Sequence, residues 1–524
     1  MWHLCGALFA VSCSDAPIAS DASDGLATSP ADSASNASAG PPGAPSTGAP
    51  DAATTSGSEG SSSAPQPRTD TGGSAAGGKP SGAGGAGGAV SGSSASGGEE
   101  NGGATGTDAT SGGGEGGARA GTGAGAEGGA SNAPGSDPEV ITELTEYLEV
   151  DPSERDPIGD QPFAAVPLTR EQAEQARALL WQDFASRNQS DRQAEADARS
   201  ITIGDYTLRY EYSVFGEAPA TGRSLYLSLH GGGETDAATN DSQWVNQQTL
   251  YEPEEGIYLA PRGPTDTWNL WHQDHIDGLF YRLITNFIVL EGVNPNRVYV
   301  MGYSAGGDGV YQLGPRMADS WAAAAMMAGH PNDARPESLR NIGFTIHVGG
   351  DDSAFDRNLV AAEWGMLLDD LEVGDPGGYP HEVQVHAGKG HWMDLEDAVA
   401  VPWMAEFTRN PVPTRVVWLQ DDVPHDRFYW LGLAPEDRVA GRSVVASYEG
   451  QSVTVLASDL EGELEVLLDD RMLDLDVAVD VVGEGGETLF SGSVTRTIGT
   501  LARTIEARGD PELVWSGSVT VRPE

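Results

Sequence analysis

Between residues 206 and 407, short apolar runs alternate with longer helix-forming stretches, and this alternation restricts the chain to one fold class. Residues 206–213 read Tyr-Thr-Leu-Arg-Tyr-Glu-Tyr-Ser. Large aromatic or aliphatic side chains recur at every second position, which predicts a half-buried strand. Apolar runs at 225–229, 256–260, 297–301, 322–327, 342–348 and 382–387 predict further strands. Helices are predicted over about 273–292, 305–318, 357–372 and 394–407. Strands separated by helices return in parallel, and a parallel sheet needs cover on both faces. The expected fold class is α/β, with a mostly parallel central sheet flanked by helices. An amphipathic helix over 169–199, with Leu179, Leu180, Trp181 and Phe184 on one side, is expected at the entrance to this domain.

The chain is of a different kind on either side of this region. Residues 14–137 are almost entirely Ala, Gly, Ser, Thr, Asp, Asn and Pro. Such a stretch cannot bury enough apolar surface to offset the entropy of ordering it, so it reads as a disordered linker. After about residue 412 short strands follow one another at 453–456, 464–468, 477–482, 489–494 and 513–521, with a helix near 497–508. That pattern predicts a small β-rich C-terminal domain. The expected organisation is a leader over 1–13, the linker over 14–137, a catalytic domain over 138–412 and the β-rich domain over 413–524.

Residues 1–137 hold 13 acids and 3 bases, so −39 of the formal charge of −49 falls on 138–524. A surface this acidic repels phosphate backbones and excludes nucleic acid as an expected partner. The two cysteines, Cys5 and Cys13, both lie in the first 13 residues. No disulfide framework, thiolate metal site or cysteine nucleophile is therefore available to the folded part. The run Leu8-Phe9-Ala10-Val11-Ser12-Cys13 resembles the end of a bacterial lipoprotein signal, although no Lys or Arg precedes it. It leads to the expectation of an exported, extracellular or cell-surface protein, attached to a membrane through lipid on Cys13.

Four short segments carry chemistry. Gly302-Tyr303-Ser304-Ala305-Gly306-Gly307 follows an apolar strand and precedes a helix. This is the setting of the G-x-S-x-G nucleophile elbow of α/β-hydrolases, where a strained turn lifts the serine and needs small neighbours. His230-Gly231-Gly232-Gly233 directly follows the strand ending at Leu229. Amides at Gly231 and Gly232, with that of Ala305, are the expected oxyanion hole. Strand 342–348 runs into Gly349-Gly350-Asp351-Asp352, and spacing favours Asp352 as the triad acid, with Asp351 and Asp356 as alternatives. Strand 382–387 runs into Gly388-Lys389-Gly390-His391, where the base is expected at His391, whereas His386 lies inside the strand. The order Ser304, Asp352, His391 is the chain order of α/β-hydrolases. No cofactor or metal is expected. His272, His275 and His330 match no zinc spacing. Trp268, Trp271, His272 and His330 follow strand ends, where loops line such sites, and are the expected substrate contacts.

The HGGG loop, the Trp-rich segment, the run Asn294-Pro295-Asn296-Arg297-Val298-Tyr299-Val300-Met301 into the elbow, and Ala328-Gly329-His330 together resemble the polyhydroxybutyrate depolymerase and feruloyl esterase group. The resemblance spans roughly residues 200–410. It implies a secreted Ser-Asp-His esterase acting on a small-molecule or polymeric ester, with Ser304, Asp352 and His391 as the triad. The chain departs from that group in lacking disulfide cysteines and in carrying the C-terminal extension. Two competing readings are a serine peptidase of the prolyl oligopeptidase type, which usually carries an N-terminal propeller, and a non-catalytic surface-binding protein. An intact triad order beside both oxyanion elements favours the esterase.

Overall fold

The computed structural model describes residues 137–523. Cys13, the leader and all but the last residue of the Gly/Ser/Ala-rich stretch lie outside the described residues.

Eight strands form the central sheet: β1 (Ser200–Ile203), β2 (Tyr206–Phe215), β3 (Arg223–Leu229), β4 (Gly256–Arg262), β5 (Val293–Tyr303), β6 (Ala323–Met327), β7 (Gly343–Gly349) and β8 (His381–His386). Their spatial order is β1-β2-β4-β3-β5-β6-β7-β8. Only β2 runs against its neighbours, and every pair from β4 to β8 is parallel. This is the α/β-hydrolase fold. The central strands are buried along their length because both faces are covered. Leu225, Leu227, Val298, Val300, Ala324 and Met326 face one apolar cluster, and the alternate residues Tyr226, Tyr299, Met301, Ala323 and Ala325 face a second.

The helices are α1 (Val140–Glu149), α2 (Arg170–Ala198), α3 (Ala237–Gln247), α4 (His275–Glu291), α5 (Ala305–Arg316), α6 (Arg357–Gly374), α7 (Ala400–Ala405) and α8 (Ile498–Arg508). Thr169 and Gln172 close a reciprocal capping box at the start of α2. Residues 394–407, expected as one helix, instead hold a 3-10 turn at Glu396–Val399 followed by the short α7. Positive φ at Asp394 and Leu395 keeps the preceding backbone out of the helix. Helix α2 packs on α1 and α8 through Leu144, Leu180, Phe184, Ile498, Leu501 and Ile505, and only its far end ties to α4, where Arg192 donates to Asn286 at 3.1 Å.

The C-terminal part adds β9 (Arg415–Leu419), β10 (Arg427–Phe428), β11 (Leu431–Leu433), β12 (Ser443–Glu449), β13 (Ser452–Ser458), β14 (Leu464–Leu468), β15 (Val479–Val482), β16 (Thr488–Gly492) and β17 (Gly517–Val521). They form sheets ordered β10-β11-β14-β17 and β16-β15-β13-β12-β9. This part shares a core with the α/β part. Trp418, Phe428 and Trp430 belong to the same apolar cluster as Trp321, Leu339 and Phe344. Buried ion pairs cross the same boundary, Arg508 with Asp319 and Arg409 with Asp510 at 2.7 Å, and His425 Nε2 lies 2.6 Å from Asp277 Oδ2. Among the described residues no helix is long and apolar enough to cross a membrane.

Candidate active site

The elbow is built by steric exclusion. Ser304 sits between β5 and α5 at φ +58 and ψ −121, a strained conformation for a residue with a side chain. A Cβ on Gly302 would stand 2.2 Å from the Gly306 carbonyl oxygen, and a Cβ on Gly306 would stand 2.1 Å from that of Leu229. Only glycine fits at either position, so the turn can close and present the serine. The Ser304 amide donates to the Met327 carbonyl at 2.9 Å, which fixes the turn to β6.

The acid and the base arrive on loops that touch. Gly349, at the end of β7, lets the two backbones meet, since a Cβ there would stand 2.0 Å from the Gly390 carbonyl oxygen. The Asp351 amide donates to the Lys389 carbonyl at 2.8 Å. Asp352 is buried, with its Oδ2 accepting from His391 Nδ1 at 2.7 Å. His391 Nε2 lies 2.9 Å from Ser304 Oγ. A carboxylate can only accept, so the proton sits on Nδ1 and Nε2 faces the serine hydroxyl as an acceptor. Asp351 and Asp356 are exposed and away from this line, Asp356 at the start of α6. His386 is packed inside, with its Nε2 3.2 Å from His347 Nδ1.

The glycine loop lies against the serine. A Cβ on Gly231 would stand 3.1 Å from Ser304 Cβ and 3.7 Å from its Oγ. Burial lowers the His230 pKa to about 4, so its ring is neutral. Nε2 accepts from the Gly263 amide at 3.0 Å, and Nδ1 donates to the Gly231 carbonyl at 2.6 Å. With that carbonyl held on the ring, the trans peptide turns the Gly232 N–H the opposite way. The Gly233 amide is committed to Asn240 Oδ1 at 2.9 Å. Asn240 in turn donates to Asp266 at 2.9 Å, and Asp266 pairs with Arg262. This buried support for the loop was not legible in the sequence, because Asn240 lies in a polar stretch with no motif.

The expected substrate contacts divide. Trp268 is 54% exposed beside Gly233, and His330 is partly exposed. The His330 amide donates to Asp308 Oδ1 at 2.6 Å, and its Nδ1 accepts from the Asn332 amide, which leaves the ring proton on Nε2. Trp271 is corrected: it is fully buried, donates to the His230 carbonyl at 3.0 Å and packs on Gly309, so it supports the glycine loop from beneath. His272 is corrected likewise. It is buried, edge-on to Trp268, and burial holds its pKa down at about 4. His275 stacks on Tyr206, away from His272. Among the described residues no three His, Cys, Asp or Glu side chains are grouped to hold a metal ion. The rim instead gains Trp392, 49% exposed beside the base, and Phe355, 75% exposed on the loop after Asp352.

No family model matches the chain, and no curated protein matches it. Solved structures similar to it include a thermostable esterase (19% identity, TM-score 0.33), covering 40% of this chain and 62%, less than two thirds, of that one. A feruloyl esterase module from Clostridium thermocellum complexed with sinapinate is similar over 40% of this chain and 86% of that one, at 15% identity and TM-score 0.30. A carboxylesterase from Mesorhizobium loti is similar over 39% and 97%, at 17% identity and TM-score 0.28.

Proposed function

We propose that this protein is a serine hydrolase that cleaves carboxylic esters through an acyl-enzyme on Ser304. The observation that carries the reading is the position of His391, 2.7 Å from Asp352 Oδ2 on one side and 2.9 Å from Ser304 Oγ on the other. His391 takes the hydroxyl proton as Ser304 attacks the ester carbonyl. The imidazolium so formed is stabilised by Asp352, and the developing oxyanion by the amides of Ala305 and of Gly231 or Gly232. His391 then gives its proton to the departing alcohol. Water, deprotonated by the same imidazole, attacks the acyl-enzyme and releases the acid. The amide of Ala305 opens α5, so the dipole of that helix adds to the oxyanion site.

The test uses the full chain. A fluorophosphonate probe is applied, the adduct is located by mass spectrometry, and p-nitrophenyl esters are assayed beside the matching anilides and a Ser304→Ala control. Labelling at Ser304 with ester turnover lost in the variant is the expected result. Turnover of anilides over esters would move the reading to a peptidase. A folded, unlabelled and inactive sample would overturn it. Export and lipid attachment at Cys13 stand on sequence grounds as part of the same proposal, and absence of an acyl group on Cys13 in the expressing cell would remove the anchor.

A further inference from the structure

The loop that carries His391 has little regular structure to hold it. From Ala387 to Leu395 it contains neither helix nor strand, and Gly388, Asp394 and Leu395 all have positive φ. His391 and Trp392 within it are exposed. Proton transfer nevertheless needs His391 Nε2 held within hydrogen-bond reach of Ser304.

One side chain reaches the backbone on both sides of Trp392. Tyr303, the residue between Gly302 and Ser304 in the elbow, donates its hydroxyl to the His391 carbonyl at 2.6 Å and accepts from the Met393 amide at 3.0 Å. Its ring lies edge-on to His391 at 6.0 Å and tilted to Trp392 at 5.6 Å. Tyr303 is 8% exposed and Met393 is fully buried. Burial raises the phenol pKa well above the usual value, so the hydroxyl keeps its proton. The far end of the same loop is pinned separately, by Tyr251 donating to the buried carboxylate of Asp397.

We propose that Tyr303 is a positioning residue for His391, fixing the base to the same dipeptide that presents the nucleophile. Ser304 and Tyr303 are adjacent in the chain, so a shift of the elbow moves serine and base together and leaves their 2.9 Å separation unchanged. The elbow's variable position thus sets the geometry of proton transfer, while the flanking glycines only make room. The inference rests on the serine hydrolase reading.

The experiment compares the full chain with Tyr303→Phe, which keeps the ring and removes both hydrogen bonds. The expected result is a fall in kcat of about tenfold with KM for a short ester within about twofold, because only the reacting geometry is loosened. The acid limb of kcat/KM is expected to move to lower pH, since a loosened imidazolium loses part of its contact with Asp352. A folded Tyr303→Phe with unchanged kcat and unchanged pH profile overturns the proposal. A fall in kcat that comes with a lowered melting temperature and no shift of the profile also overturns it, since the pair marks a structural role alone. Should the variant fail to fold, amide exchange on the wild-type chain decides. The Met393 amide, which donates to the Tyr303 hydroxyl, is expected to exchange about a hundredfold slower than exposed loop amides, and exchange at the open-loop rate overturns the proposal. Fluorophosphonate labelling of the wild type separates the two readings: no labelling at Ser304 removes the hydrolase, whereas labelling with an indifferent Tyr303→Phe removes only the positioning role.

Discussion

A Cβ on Gly306 would stand 2.1 Å from the carbonyl oxygen of Leu229, the last residue of β3. The first turn of α5 therefore rests directly on the strand that delivers the glycine loop. Gly306→Ala has no side-chain neighbour to displace, only backbone, so the helix must move. The expected outcome is a loss of stability of about 1–3 kcal/mol by denaturant unfolding, with ester turnover reduced further than stability alone explains. Wild-type stability in the variant would refute the close approach.

The separation of Asp352 from its neighbours gives a second test. Asp352→Asn keeps the size of the side chain but favours the wrong imidazole tautomer, and a kcat loss on the order of 10³ to 10⁴ is expected. Asp351→Asn and Asp356→Asn change exposed groups and are expected to stay within roughly twofold. A large loss at either of the latter two would reassign the acid.

Much of this site was legible because its parts follow strand ends in a fixed chain order. Ser304, Asp352 and His391 each come shortly after an apolar run, and the sheet brings those ends to one edge. Trp271 and His272 were misplaced for the same reason: a loop after a strand suggests exposure, but both side chains turn inward, that of Trp271 beneath the glycine loop. The strands β9 and β12 lie in the β-rich part ahead of 453–456, the first strand expected there, and neither was expected. Periodicity reports one buried face. It does not report which distant element provides the cover, so it left open the shared core of Trp418 and Phe344.

Asp308, one turn from Ser304, makes a prediction about pH. Burial pushes its carboxyl up to about 6. The neutral form is favoured by folding, so this group's stabilising contribution is fully present below about pH 4 and is lost as pH rises toward 6. Asp308→Asn keeps an acceptor for the His330 amide without the charge. The variant is expected to be more stable at pH 7, on the order of 1 kcal/mol, with the difference vanishing near pH 4. Melting temperatures across that range check it.

Acids are exposed on each loop that surrounds the site: Glu234 and Asp236, Asp333, Asp351 and Asp356, and Asp394. Lys389, the base nearest His391 in sequence, is paired with Asp394 and Glu396 at 2.9 Å. Esters with a cationic alcohol are expected to be preferred over anionic esters of equal size, with the kcat/KM ratio falling about tenfold between low salt and 0.5 M salt. A ratio indifferent to salt would show that this charge does not act on substrate.

The last prediction concerns why the C-terminal part is present. Arg508 of α8 pairs with Asp319, which follows α5, and also donates to the Tyr429 carbonyl at 2.7 Å. Both charges are buried, so removing one strands the other. Arg508→Met is expected to cost about 3–5 kcal/mol, since an uncompensated buried carboxylate is far more costly than a lost surface pair. Because the apolar cluster is continuous from Phe344 to Trp430, the loss should not be confined to the β-rich part. Ester turnover and tryptophan fluorescence, followed together in guanidinium, are expected to fall in one transition at a lower midpoint. Activity that outlasts the fluorescence change would mean that the central sheet stands without its C-terminal cover.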